Sequence, residues 1–328
     1  MELLPWQQTQ WDRLIRLNAA NRLPHALLLC GQEGLGKQSF AQRFATALLC
    51  QTVLADGSPC GSCRSCLLLH AGNHPDYLLV TPQGSDKPIK VDQVRELCSF
   101  LNHTSQFSGF KIVVISAAHM LNISAANSLL KTLEEPPGDC LLLLVTAHPY
   151  RLPATVRSRC QTVVFMLPEM PQALAWLQEK LVRLDRTESK LVEIALNLSN
   201  GAPLQALAYA RNELLAKRQE LFAGYSDILL GKADPVQIAK IWSSSDLTML
   251  INWLIGWHMD MIRLKMVAEP PHLFNPDLQP ELQRLTHKLK SERLFFLLDA
   301  AIRLAELFMT QVNLESMLED FFCECIDG

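Results

Sequence analysis

Two segments of the 328-residue chain carry side chains whose types and spacing could do chemistry. Cys50, Cys60, Cys63 and Cys66 form C-x9-C-x2-C-x2-C. A Cys-x2-Cys turn lets two sulfurs face one ion, and four thiolates close a tetrahedral shell with no position left for water, so the site reads as structural and its ion as zinc. Gly57, Pro59 and Gly61 suit the tight loop this requires. His70 and His74 lie near enough to serve as substitute ligands, but four cysteines make them unnecessary. Free thiols or a redox pair is the competing reading.

The second segment is Gly31-Gln32-Glu33-Gly34-Leu35-Gly36-Lys37-Gln38, set between an apolar run and an amphipathic helix. Strand, glycine-rich turn, lysine and helix are the parts of a phosphate cradle, in which backbone N–H groups point inward and the helix N-terminus adds positive potential. The full motif ends in Lys-Ser or Lys-Thr, whose hydroxyl holds Mg²⁺; here Gln38 supplies an amide instead. A working site also needs an acidic pair after a neighbouring strand, to hold the metal shell and activate water. The run Lys111 to Ile115 is followed by Ser116-Ala117-Ala118-His119, which supplies neither. Gly31, Gly34, Gly36 and Lys37 therefore read as a vestigial loop, and ATP with Mg²⁺ is not expected to be used by this chain. His119 reads as a packing or surface residue.

These segments need a scaffold. Apolar runs at Ala26–Cys30, Tyr77–Val80, Ile112–Ile115, Leu141–Val145 and Thr162–Phe165 lack polar alternation, as expected of strands covered on both faces of a parallel sheet. Between them, Phe40/Phe44/Leu48 and Val91/Val94/Cys98/Leu101 form helical stripes. A helix from about Ser124 must stop at Glu134, before Pro136-Pro137. Strand and helix in alternation give an α/β fold with a five-stranded parallel sheet.

After about residue 167 strands vanish. Leu191, Ile194, Ala195 and Leu198 mark one helical face, closed by Asn200-Gly201 and followed by a helix opening at Pro203. Further helices include Leu247 to Met259, bounded by Asp246 and Asp260 and read as buried, and Glu292 to Gln311, which Ser291 could cap. Glu269 to Pro280, with four prolines, interrupts them. Cys30, Cys98, Cys140, Cys160, Cys323 and Cys325 show no ligand spacing and read as buried packing residues.

Lys+Arg of 30 against Asp+Glu of 33 leaves a charge of −3, too little cation for a protein that coats DNA by itself. With no signal-peptide pattern at Met1–Trp6 and no apolar run of membrane-spanning length, the expected place is the cytoplasm, with no membrane.

The segment Ala125-Ala126-Asn127-Ser128-Leu129-Leu130-Lys131-Thr132-Leu133-Glu134-Glu135-Pro136-Pro137, with Ser158-Arg159-Cys160 beyond the next strand, resembles the AAA+ subunits of the bacterial DNA polymerase III sliding-clamp loader over about the first 207 residues. The resemblance implies an AAA+ domain at 1–166, which would carry the zinc loop at 50–66, and a small helical lid at 167–207; residues 208–328 match the family in helical character and length, and their abundant Leu, Phe and Trp suit an all-α collar for oligomerisation. It implies that Arg159 is an arginine finger acting in trans on a neighbour's ATP; an ordinary ion pair is the bland alternative, and Arg157 reads as a surface residue. In the lid, the family's Gly-x-x-Arg is here Gly201-Ala202-Pro203-Leu204, so the arginine is lost. Thr146 matches a polar sensing position, though it could equally cap a turn. The implied partners are ATPase subunits of gamma/tau type, a delta-type subunit, the sliding clamp, and primed DNA reached through the assembled ring, which the helix near Ser124 would face. Two rival readings stand beside this: an active ATPase of the same family, and a zinc-dependent DNA-binding module that works alone.

Overall fold

The computed structural model describes residues 2–84, 87–107, 109–182, 189–211, 214–243, 247–308 and 313–326, and divides into two compact units, Met1–Pro168 and Glu169–Gly328. In the first, chain order is α1 (Gln8–Ala19), β1 (Ala26–Cys30), α2 (Lys37–Leu49), α3 (Arg64–His70), β2 (Tyr77–Val80), α4 (Val91–Asn102), β3 (Lys111–Ile115), α5 (Ile123–Glu134), β4 (Cys140–Thr146), α6 (Ala154–Arg157) and β5 (Gln161–Val164). The strands form one all-parallel sheet in the order β2-β3-β4-β1-β5. The central strands β1, β3 and β4 are buried along their whole length, whereas the edge strands β2 and β5 are only partly covered. That is why the central runs are unbroken Leu, Ile and Val.

Each face of the sheet has its own core. Trp11, Phe40 and Phe44 pack against Leu27, Leu29 and Val114 on one side. Val94, Leu97, Leu129 and Leu133 pack against Leu28, Val113 and Leu142 on the other. Leu97 rather than Val91 or Cys98 completes the buried stripe of α4, lying one turn beyond Val94, with Leu101 two turns beyond it.

The second unit is helical among its described residues: α7 (Met170–Val182), α8 (Ser189–Leu198), α9 (Pro203–Arg211), α10 (Leu214–Leu229), α11 (Pro235–Ser243), α12 (Leu247–Met266), α13 (Gln279–Lys288), α14 (Ser291–Phe308) and α15 (Leu314–Ile326). Asn200 and Gly201 take positive φ of 50° and 81° and end α8, with the Gly201 N–H donating to the Leu196 carbonyl at 2.8 Å. The buried face of α8 is Val192, Ala195 and Leu196, so Ile194 and Leu198 are only half-covered; the side chain of Leu191 lies outside the described residues. Ser291 is the first residue of α14, not its cap, and the expected end at Gln311 lies outside the described residues, as does Asp246.

Tyr225, Trp242, Trp257, Phe321 and Phe322 stack into an aromatic core. Beside it a polar group is buried in pairs. Arg218, fully buried, donates to both Asp277 oxygens at 2.9 and 3.0 Å and to the Asn275 carboxamide oxygen at 2.9 Å. Asp260 in turn accepts from the Phe274 and Asn275 backbone and from Asn275 Nδ2. The proline-rich segment before α13 is thus tied down by α10 and α12. Among the described residues no helix is long and apolar enough to cross a membrane.

Candidate functional site

Because the strands are parallel, the turns after β1, β3 and β4 open on one edge of the sheet, where ligands of such sheets bind. The glycine-rich loop follows β1. Gly31 lies so close to the Phe165 carbonyl that a Cβ would collide with it, and Gly36 caps α2 at φ 77°, a left-handed conformation that suits glycine. Lys37 is buried, its ammonium donates to the Gln32 carbonyl at 2.6 Å, and burial pushes its pKa down, with Glu33 and Cys30 opposing. The Leu35 carbonyl accepts from Trp6 Nε1 at 3.0 Å and Gln7 Nε2 at 2.8 Å.

Gln38, standing where a metal-binding hydroxyl would be, accepts a short hydrogen bond from the Ser116 hydroxyl at the end of β3. The two positions that would hold Mg²⁺ are bonded to one another. Thr146, at the end of β4, accepts from the His148 N–H at 3.0 Å and pairs with His119 Nδ1 at 3.1 Å, so it caps a turn and also meets His119. His119 and His148 stand edge to face at 4.9 Å. Burial lowers the pKa of both, and the neighbouring charge of Arg151 lowers them further. His148 carries no motif signal, and only the β3 and β4 register brings it here.

Arg159 lies at the other edge of the sheet, two residues before β5 begins at Gln161. Its Nη2 pairs with Glu134 Oε1 at 2.5 Å and its Nη1 donates to the Thr155 carbonyl at 2.9 Å, leaving about a third of the side chain exposed (35%). Since β5 pairs with β1 from Leu27↔Gln161 to Cys30↔Val164, the strand separates Arg159 from its own glycine-rich loop by about 13 Å at 3.3 Å per residue. That exceeds an arginine's reach. Arg157 is half-buried, not a free surface residue, with its guanidinium 5.3 Å over the Tyr150 ring. Glu134 as the partner of Arg159 was hidden by a separation of 25 residues, although an acid at a helix C-terminus is an unusual placement.

The helix α5 begins at Ile123, and the Asn122 carboxamide accepts from the Ala125 N–H at 2.7 Å, so one of its free N–H groups is capped internally.

The cysteine cluster hangs from the end of α2. Cys50, Cys60, Cys63 and Cys66 place their sulfurs within 4.8 Å of one another, with Cys50 3.6 Å from Cys60 and 3.8 Å from Cys63. A tetrahedron with 2.3 Å metal–sulfur bonds has edges of ~3.8 Å, so the four fit one ion. The N–H groups of Cys60, Cys63 and Cys66 aim at the sulfurs of Cys50, Cys60 and Cys63. Donation from the Ser62 and Cys63 N–H groups draws Cys60 down to about 6, while burial pushes Cys66 up. His74 is not a ligand of this set. Its Nδ1 accepts from the Asp76 N–H, so Nε2 carries the proton toward Ser65 Oγ at 2.8 Å, and Asp76 accepts from Gln106 and Phe107. Of the remaining cysteines, Cys30, Cys140, Cys160 and Cys325 are buried, but Cys98 is half-buried and Cys323 exposed, so packing does not account for Cys323.

Two family models match the chain: "DNA polymerase III, delta subunit" over residues 6–169 and "DNA polymerase III, delta subunit, C terminal" over residues 212–325. The DNA polymerase III subunit delta′ of Pseudomonas aeruginosa is 35% identical, covering 97% of this chain and 94% of that protein. The subunit delta′ of Escherichia coli K12 is 31% identical, covering 98% and 94%. Among solved structures, a gamma subunit-related protein of Thermotoga maritima covers 97% of this chain and 99% of its own at 17% identity and a TM-score of 0.45.

Proposed function

The chain belongs to the family of DNA polymerase III delta′ subunits, and from that premise we propose that it is a non-hydrolysing subunit of a sliding-clamp loader, presenting Arg159 to the ATP site of an adjacent ATPase subunit. The observation that carries this reading is the placement of Arg159 at the sheet edge opposite its own glycine-rich loop, out of reach of it but about a third exposed. A guanidinium brought to a neighbour's γ-phosphate neutralises charge that develops during transfer. The chain's own loop supports the complementary half. Gln38 and Ser116 satisfy each other, no carboxylate follows β3, and Leu204 stands in place of the lid arginine.

The partners of this reading are gamma/tau-type and delta-type loader subunits, the sliding clamp, and primed DNA met by the assembled ring rather than by this chain of charge −3 alone. The division into an AAA+ domain at 1–166, a lid at 167–207 and a collar at 208–328 belongs to the same proposal. So does zinc as the ion of the four cysteines: it would be a closed structural site that fastens the loop between α2 and α3 and takes no part in the reaction.

Mg-ATP turnover by the isolated chain tests the reading. None above background is expected, and hydrolysis that Lys37→Ala abolishes would overturn it.

A further inference from the structure

We propose that Glu134 is the positioning residue for Arg159, an inference that rests on the trans-arginine reading above. An arginine side chain has many rotamers, and that freedom must be given up when its guanidinium docks on a phosphate. Here much of that freedom is already lost. The Glu134 carboxylate holds Nη2 at 2.5 Å and the Thr155 carbonyl holds Nη1 at 2.9 Å, fixing the plane of the fork from two sides. Nη1 also donates to the Ser158 hydroxyl at 3.5 Å, and Glu134 engages one N–H of Nη2, so the second Nη2 N–H and the Nε N–H remain for an incoming oxyanion on a side chain that is 35% exposed.

The two residues are braced by the same core. Glu134 follows buried Leu133 at the end of α5, Arg159 precedes buried Cys160, and both of those neighbours belong to one hydrophobic core with Val156 of α6. A carboxylate in the last turn of a helix opposes the macrodipole, and Glu135 adds a second, with Lys131 the one basic residue of that turn. An exposed ion pair contributes little to stability, so holding this acid here is explained by what it does to Arg159.

The test is ATP turnover at the neighbour's site in the reconstituted loader, with the other ATPase sites silenced. Glu134→Ala is expected to lower kcat on the order of tenfold with KM unchanged, as for lost positioning of a group that acts in the transition state. Glu134→Gln, which keeps an oxygen facing Nη2, recovers most of that loss. In an Arg159→Ala background Glu134→Ala has no further effect, a coupling that a merely structural role would not produce. Unchanged turnover in Glu134→Ala, an equal loss in both backgrounds, or a rise in turnover overturns the positioning role while leaving the finger intact. Arg159→Ala with wild-type turnover refutes the finger itself, and this inference with it.

Discussion

The glycine-rich loop and the Ser158-Arg159-Cys160 segment sit at opposite edges of one sheet and treat their polar groups in opposite ways. In the loop, polar groups turn inward: Lys37 donates to Gln32, Gln38 accepts from Ser116, and the Leu35 carbonyl takes two donors from the N-terminal segment. Arg159 is held by Glu134, the Thr155 carbonyl and the Ser158 hydroxyl, yet about a third of its side chain stays exposed. Polar groups of one domain are thus closed off at one end of its sheet and left open at the other. Groups that are satisfied internally contribute to stability, and groups held but left open are available to a partner. The helical unit extends the first class, since in its interior Asp277 and Asn275 accept from Arg218, and Asp260 accepts from Asn275 and Phe274.

The largest effect that can break this contrast is at the open group. Arg159→Ala should slow the neighbour's ATP turnover by about 10³-fold, while its thermal midpoint stays at the wild-type value, because a surface pair contributes ~0–1 kcal/mol. A lowered midpoint with intact turnover would place Arg159 among the structural groups instead. At an inward group the pattern inverts. Asp277→Ala leaves the buried Arg218 guanidinium uncompensated and should lower unfolding free energy by about 3 kcal/mol or more in denaturant titration. A loss within measurement error would contradict that assignment.

Acid probes the same class less strongly. His258 is fully buried, accepts from the Tyr225 hydroxyl at Nε2, and its pKa is lowered by burial from 6.5 to about 4. The unfolded chain therefore binds a proton that the folded chain refuses between those values. Stability should fall as pH drops from 6.5 toward 4, by about 1.4 kcal/mol per unit in that window. Equal denaturant midpoints at pH 7 and pH 5 would show the ring is not held neutral. For the cysteine cluster, metal analysis should return one zinc per chain, and Cys60→Ser should lose it; full-length protein that stays metal-free under zinc-replete expression would remove the ion from the account. The smallest effect is at Gln38→Thr, which restores one hydroxyl but neither the acid pair nor the lid arginine, and should confer no turnover on the isolated chain.

The strands were legible because β1, β3 and β4 are buried end to end, so their apolar runs carry no competing pattern. The cysteine cluster was legible because its ligands are local. The faces of α4 and α8 were read less well, since which turn of a Leu-rich helix is covered depends on the neighbour it meets. The pairs Glu134–Arg159, Gln38–Ser116 and Arg218–Asp277 were not legible at all: each joins residues far apart in sequence, and the sheet register or helix packing alone makes them neighbours.

The most direct test of the division of labour sets Lys37→Ala beside Arg159→Ala in the assembled loader and measures DNA- and clamp-stimulated ATP turnover. The account predicts that Lys37→Ala matches the wild type and Arg159→Ala is slow. A slow Lys37→Ala beside an unimpaired Arg159→Ala would mean that this chain burns ATP in its own loop and lends nothing to its neighbour.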